Sequence, residues 1–165
     1  MRILLWPWHF LVSIALNMEA RLISEMPSSE QDSFLRRRVK QFPFWVPGHM
    51  RIAELALSSR DVTLAYGAAQ CVISLARNEA EKNKGSHLLA RALLAGGEPD
   101  RALKALSSLS KHAQGDFNIQ EDMIACLMAL GRENEAIVIL ERVGWKNLSP
   151  EARAIAKHLT KNMRP

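Results

Sequence analysis

The chain has 165 residues, of which 48% are hydrophobic and 24% charged, with 8 Gly and 7 Pro. This composition excludes the disordered and collagen-like classes and predicts an ordinary globular protein of one domain. Lysine and arginine outnumber aspartate and glutamate by 22 to 17, for a formal net charge of +5, but the basic residues are spread along the chain. The excess charge therefore favours solubility or an anionic surface and does not by itself indicate nucleic-acid binding.

The chain begins with an apolar run from Ile3 to Met18, which follows Arg2 and ends before Glu19. As a helix this run would be about 24 Å long, shorter than the roughly 30 Å hydrocarbon core of a bilayer. It also lacks the small residues that a cleavable signal peptide carries after its apolar stretch. We predict an uncleaved membrane anchor over residues 1–20, with an interfacial segment or a helix packed on the rest of the protein as alternatives. Contact with the membrane or with an assembly partner is assigned to Trp6, Trp8, Phe10 and Leu11.

Basic residues lie on both sides of the apolar run, so the positive-inside rule leaves the orientation of the anchor open. Residues 21–48 are predicted to link the anchor to the rest of the chain. A short helix is expected to start with Ser28 or Ser29 as its N-cap and to extend through Lys40. The four basic residues near its end are interpreted as a solvated face, with contact to anionic lipid as the alternative. The aromatic, proline-containing segment Phe42 to Gly48 is expected to interrupt helical structure and to pack on the helix that follows.

From residue 49 onward the sequence repeats with a period of 34 residues. Gly97 and Gly131 are 34 positions apart, and each is followed five positions later by an alanine, Ala102 or Ala136. A period of this length is typical of stacked helical hairpins, in which neighbouring units bury each other's apolar faces. The three units predicted from this register cover roughly residues 49–82, 83–116 and 117–150.

Each unit is predicted to contain two amphipathic helices and a tight turn. In the middle unit, a helix from Ser86 to Ala95 is expected to end at Gly96 and Gly97, and Pro99 is expected to begin the second helix. A small residue is needed where the two helices cross closely. Stepping by 34 residues assigns this crossing to Ala68, Ala102 and Ala136.

This pattern resembles the tetratricopeptide repeat over residues 49–150. The family's order of large, small and large residues, glycine, alanine and two further apolar residues is met by Leu89, Ala90, Leu93, Gly97, Ala102, Leu106 and Leu109. The first unit departs from it with Ser59 at a large position and Thr63 at the glycine, and the third has Ile124 at the small position. The resemblance implies an all-α solenoid of about three helical-hairpin units, preceded by the N-terminal apolar helix. The repeat domain would cover residues 49–165, with a C-terminal capping helix from about residue 150.

The sequence contains no glycine-rich phosphate loop, no paired-histidine zinc motif and no Cys-x-x-Cys, so we predict no enzymatic activity, no cofactor and no metal site. Cys71 and Cys126 fall on apolar helical stripes and are predicted to be small core residues. A disulfide between them is not expected, because the predicted stack separates them by a whole unit.

In the family that the chain resembles, the first helix of each unit builds the concave face. The residues mapped to this predicted groove are Leu57, Lys84, His87, Leu88, Arg91, Leu94, Asn118, Glu121, Asp122 and Met128. We predict a membrane-tethered adaptor that binds a peptide or helix of a partner protein in this groove. The alternative is a structural subunit of a protein complex, with the N-terminal aromatic segment as its assembly surface. Nucleic acid is not an expected partner, because aromatic residues are nearly absent from the repeats.

Overall fold

The computed structural model describes residues 23, 26–109, 111–144, 150 and 153. This part of the chain consists of α-helices and short turns without a strand, which confirms the all-α class. The predicted N-terminal anchor with Trp6, Trp8, Phe10 and Leu11, and nearly all of the predicted capping helix, lie outside the described residues. The helices are α1 (Ser28–Gln41), α2 (Val46–Ser58), α3 (Val62–Leu75), α4 (Glu79–Ala95), α5 (Pro99–Ser107), α6 (Lys111–Gln114), α7 (Phe117–Ala129) and α8 (Glu133–Val143).

The chain divides into two compact units, residues 1–85 and residues 86–165. The division falls inside α4, which is one continuous helix of 17 residues. In the first unit α2 packs against α1 and α3, and in the second unit α7 packs against α5, α6 and α8. None of the helices in the described ranges is long and apolar enough to cross a membrane.

Helix α1 agrees with its predicted extent but not with its predicted cap. It begins at Ser28, and Pro27 is the N-cap residue, so the assignment of Ser28 or Ser29 to the cap is wrong. The Pro27 carbonyl accepts hydrogen bonds from the amides of Glu30 and Gln31 at 2.9 and 3.0 Å. Proline can occupy this position because its missing N–H would have had no partner within the helix.

The aromatic segment before α2 packs on the first turns of that helix. Trp45 is the N-cap residue of α2, and its buried indole lies against Gly48. A Cβ atom at residue 48 would be 2.2 Å from Trp45 Cε3, so only glycine fits there. His49 Nε2 lies 2.8 Å from the Pro43 carbonyl oxygen. The segment therefore packs on the following helix as predicted, but α2 already starts at Val46, because a proline is tolerated in the first turn of a helix.

The turns that end α4 and α7 have the same hydrogen bonds. The amide of Glu98 donates to the Leu93 carbonyl, and the amide of Arg132 donates to the Leu127 carbonyl, both at 2.9 Å. Gly97 and Gly131 adopt left-handed φ angles of 78° and 70°. This is the Schellman arrangement, in which a glycine after the helix leaves the last carbonyls paired. The predicted 34-residue spacing is thus present in the backbone geometry of these two turns.

The turn that ends α2 has this geometry at a different position from the one predicted. The amide of Asp61 donates to the Ala56 carbonyl at 2.8 Å, and Arg60 has a φ angle of 60°. Arg60 is therefore the counterpart of Gly97, and it lies 37 residues before Gly97 rather than 34. Thr63, which the 34-residue register placed at the glycine, lies within α3. The assignment of the first unit is wrong by three residues.

The corrected register also changes which alanine lies at the helix crossing. The counterpart of Ala102 and Ala136 is Ala65, and all three are 0% exposed, whereas Ala68 is 6% exposed. The extra residues lengthen the start of α4, which has 17 residues against 13 in α7. Helix α4 begins at Glu79 rather than at the predicted Ser86. The Asn78 side chain stabilises this earlier start by accepting a hydrogen bond from the Glu81 amide at 2.8 Å.

Candidate functional site

One residue of the predicted groove, Lys84, forms a contact between helices in the first unit. Lys84 Nζ on α4 lies 3.3 Å from Glu54 Oε1 on α2. Arg51 Nη1 lies 3.4 Å from the other carboxylate oxygen of Glu54, and Arg51 Nη2 donates to Gln31 Oε1 on α1 at 2.9 Å. This polar network connects three helices, and the side chains of Lys84 and Glu54 remain partly exposed.

A second polar contact joins α4 to α7 in the second unit. His87 Nε2 lies 2.6 Å from Asp122 Oδ2, and Arg91 Nε lies 4.0 Å from the same oxygen. Because an ionised carboxylate only accepts hydrogen bonds, the His87 N–H is the donor. The His87 side chain is 12% exposed and that of Asp122 is 25% exposed, so the pair is shielded but can be reached from solvent. The two residues are 35 positions apart in the chain, which is close to the repeat period.

The predicted groove residues differ in their exposure. Leu88 is 1% exposed and belongs to the core, so its assignment as a binding residue is wrong. Leu88 directly follows His87 in α4. A step of one residue along the helix turns the side chain from the partly exposed side toward the core. Met128 packs partly against the core of the second unit. Leu57 and Lys84 belong to the first unit, and the remaining groove residues to the second. The partly or fully exposed ones are Leu57, Lys84, His87, Arg91, Leu94, Asn118, Glu121, Asp122 and Met128.

The first unit also contains a groove that was not predicted from the sequence. It is an open cavity of about 660 Å³ between α1, α2 and α3, with mostly apolar walls. We call it the first-unit groove, and its lining residues are Arg36, Val39, Lys40, His49, Ile52, Asp61, Thr63, Leu64, Gly67, Ala68 and Cys71. The signal in the sequence was the pair Gly67 and Ala68 within an apolar helical stripe, which leaves a gap where larger side chains would have filled the space.

A smaller cavity of about 200 Å³ adjoins the first-unit groove and shares Arg36 and Leu64 with it. Its other walls come from the last turns of α2, including Leu55 and Ser58. Arg36 lines both cavities, and its Nε lies 2.8 Å from Asp32 Oδ2.

The two cysteines have different environments, and both are free thiols. Cys126 is fully buried, which agrees with the predicted core position. Burial, with a smaller contribution from the negative charge of Asp122, raises the pKa of the Cys126 thiol to about 11. Cys71 is exposed and lines the first-unit groove, so its assignment to the core is wrong. Its stripe on α3 borders this groove instead of a packed helix.

This difference predicts selective thiol chemistry. In the folded chain at pH 8 we expect a maleimide to modify one cysteine, Cys71, because the reactive species is an accessible thiolate. In denaturant both cysteines should react. Mass spectrometry after brief labelling measures the stoichiometry, and a Cys71→Ser variant should show no rapid labelling in the folded state. Equal labelling rates for Cys71 and Cys126 would contradict the burial of Cys126.

Within the described ranges, no three histidine, cysteine, aspartate or glutamate side chains are close enough together to hold a metal ion.

Comparison of the chain with protein-family models, with curated proteins and with solved structures finds no match. The resemblance to the tetratricopeptide repeat therefore remains a prediction, supported by the sequence and by the matching turns within the chain itself.

Proposed function

We propose that the protein is a non-enzymatic interaction module built from tetratricopeptide-like helical hairpins, which binds a partner peptide or helix on the face that α4 and α7 form around His87 and Asp122. The observation that carries this proposal is the contact between His87 on α4 and Asp122 on α7. It joins helices that the repeat register identifies as the first helices of consecutive units. On the predicted binding face, His87 and Asp122 thus hold each other in position.

The composition of this face suits peptide recognition. The charged group of Arg91 is exposed, and Asp122 lies nearby at 4.0 Å. Leu94 is partly exposed and supplies apolar surface. Apolar anchors surrounded by fixed charges are the usual basis of affinity and specificity in such grooves. A partner segment with apolar side chains and carboxylates would be complementary to Arg91 and Leu94.

The test of this function is site-specific photo-crosslinking in the full chain. A photoreactive amino acid replacing Leu94 should give a discrete crosslinked partner, and one replacing the exposed Val138 on α8 should not. An Arg91→Ala substitution should reduce the Leu94 crosslink about tenfold, as expected for a lost charged contact worth about 1.4 kcal/mol. Lys104→Ala, which removes an exposed cation on α5, is the matched control and should have no effect. Crosslinks of equal yield at residues 94 and 138 would contradict the assignment.

We also propose that the segment from Ile3 to Met18 tethers this module to a membrane. Alkaline extraction of membranes from the same cells distinguishes a membrane tether from the alternative, a structural subunit of a protein complex. A chain that stays in the membrane pellet supports the tether. A chain that is released, with its crosslinks at Leu94 intact, indicates a structural subunit whose apolar segment contacts another protein.

A further inference from the structure

We propose that the first-unit groove is a second docking surface, and that its partner is an amphipathic helix with acidic residues beside its apolar stripe. This groove is formed by α1, α2 and α3, and it shares none of its lining residues with the face proposed above. The chain would then hold two different protein segments, one on each surface.

The floor of the groove has the shape needed to receive a helix. Leu64, Gly67, Ala68 and Cys71 lie at positions i, i+3, i+4 and i+7 of α3, so they form one continuous stripe. A Cβ atom at Gly67 would have no neighbour within 4 Å, which means that the space above the middle of this stripe is open. Small residues at the centre of a helix surface let another helix approach closely.

The length of the groove fits a short helical segment. The lining residues extend from Asp61, the N-cap of α3, to Cys71 within α3, which corresponds to about 15 Å or three helical turns. Val39 on α1 and Ile52 on α2 supply apolar surface at the sides. A partner helix of about three turns with leucine-sized side chains on one face would cover this surface.

The charges at the rim favour carboxylates on the partner. Lys40 is exposed, and its ammonium group has no ion-pair partner among the described residues. Arg36 also lines the rim, and its bond to Asp32 is on a half-exposed surface, where such a pair contributes little and can be rearranged. The acidic rim residue is Asp61, the N-cap of α3, whose carboxylate accepts a hydrogen bond from the Leu64 amide at 3.0 Å. The charged lining residues are thus two cations and one anion, so the net charge at the groove is positive.

Two synthetic helical peptides of about 18 residues test this proposal with the full chain. Both carry leucines at i, i+3, i+4 and i+7, and they differ only in having glutamates or lysines beside this stripe. We expect the glutamate peptide to bind at least tenfold more tightly by fluorescence anisotropy and to slow maleimide modification of Cys71. Binding of both peptides with equal affinity, or binding of the glutamate peptide without protection of Cys71, would overturn the proposal.

Three variants locate the binding. Gly67→Leu fills the open space on the groove floor and should abolish binding of the glutamate peptide, while Ser74→Leu adds the same side chain at an exposed position of α3 outside the groove and should not. Lys40→Glu changes only an exposed side chain, so it should leave the fold intact, weaken the glutamate peptide about tenfold and strengthen the lysine peptide. Unchanged affinities in both groove variants would refute the assignment.

The chain without peptide tests the other possible occupants of the groove. Cys71 modification that slows as the protein concentration rises would assign the groove to a second copy of the chain. Cys71 that is unreactive at every concentration would assign it to other residues of the same chain. Either result would overturn the proposed partner, whereas rapid and concentration-independent modification leaves the groove open to the acidic helix.

Discussion

Replacement of Gly48 by alanine is expected to lower the free energy of unfolding by about 3 kcal/mol, near the upper end for overpacking a core. The added methyl carbon would be 2.2 Å from Cε3 and 2.6 Å from Cζ3 of Trp45. The indole has little room to move, because Trp45 is buried and sits directly at the start of α2. Either the ring leaves its position or the first turn of α2 shifts, and both changes expose apolar surface. Urea denaturation followed by circular dichroism measures the effect.

The matched control for this substitution is Gly67→Ala. Gly67 is also helical, but it is exposed, and a Cβ there would have no neighbour within 4 Å. Alanine should therefore raise the free energy of unfolding by about 0.5 to 1 kcal/mol, the normal gain for glycine to alanine within a helix. If the two variants have the same stability, the contact between Trp45 and Gly48 does not exist in solution.

Replacement of Ala65 by leucine is expected to destabilise the chain by about 2 to 3 kcal/mol. Ala65 is 0% exposed and occupies the position in the first hairpin that Ala102 and Ala136 occupy in the others. A larger side chain there would push α2 and α3 apart. Ala68→Leu should cost less than about 1 kcal/mol, because Ala68 lines the open first-unit groove, where a larger side chain has room. Thermal and urea denaturation of the two variants compare them directly.

This pair of variants discriminates between the two registers for the first unit. The 34-residue spacing places Ala68 at the helix crossing, and the turn geometry at Arg60 places Ala65 there. A larger loss of stability for Ala68→Leu than for Ala65→Leu would restore the 34-residue register. Ala102→Leu is a reference for the second unit, since its position is the same in both registers, and it should be as harmful as Ala65→Leu.

The all-α class and the turns that end α4 and α7 could be predicted from the sequence, because the residues that indicate them are close together in the chain. Gly97 and Gly131 mark left-handed positions that glycine fills at little cost, and Pro99 marks the first turn of α5. The turn that ends α2 carries no such signal, because Arg60 and not glycine occupies its left-handed position. This conformation costs about 1 kcal/mol, which the packing of α2 and α3 offsets. A 34-residue register extended backward from Gly97 therefore does not include the three additional residues between Arg60 and Gly97.

The candidate binding face could be predicted in part. The register of the resembling family assigns His87, Arg91 and Asp122 to one predicted face, and the structure brings these three side chains together. Periodicity cannot separate neighbouring positions at the edge of a face, and for this reason Leu88 was assigned to the surface although it is buried. The first-unit groove was missed for a different reason. It depends on the packing of three helices from separate stretches of the chain, and the small pair Gly67 and Ala68 on α3 indicates a gap without showing which helices border it.

The indole N–H of Trp45 has a practical consequence. It is buried and has no hydrogen-bond acceptor among the described residues. Its proton can exchange with deuterium from the solvent only when the surroundings of the ring open, so its exchange rate reports the opening free energy of this region. A single side-chain resonance in a nuclear magnetic resonance spectrum thus follows the opening of the first unit around α2 in the intact chain, independently of the far larger set of backbone amides.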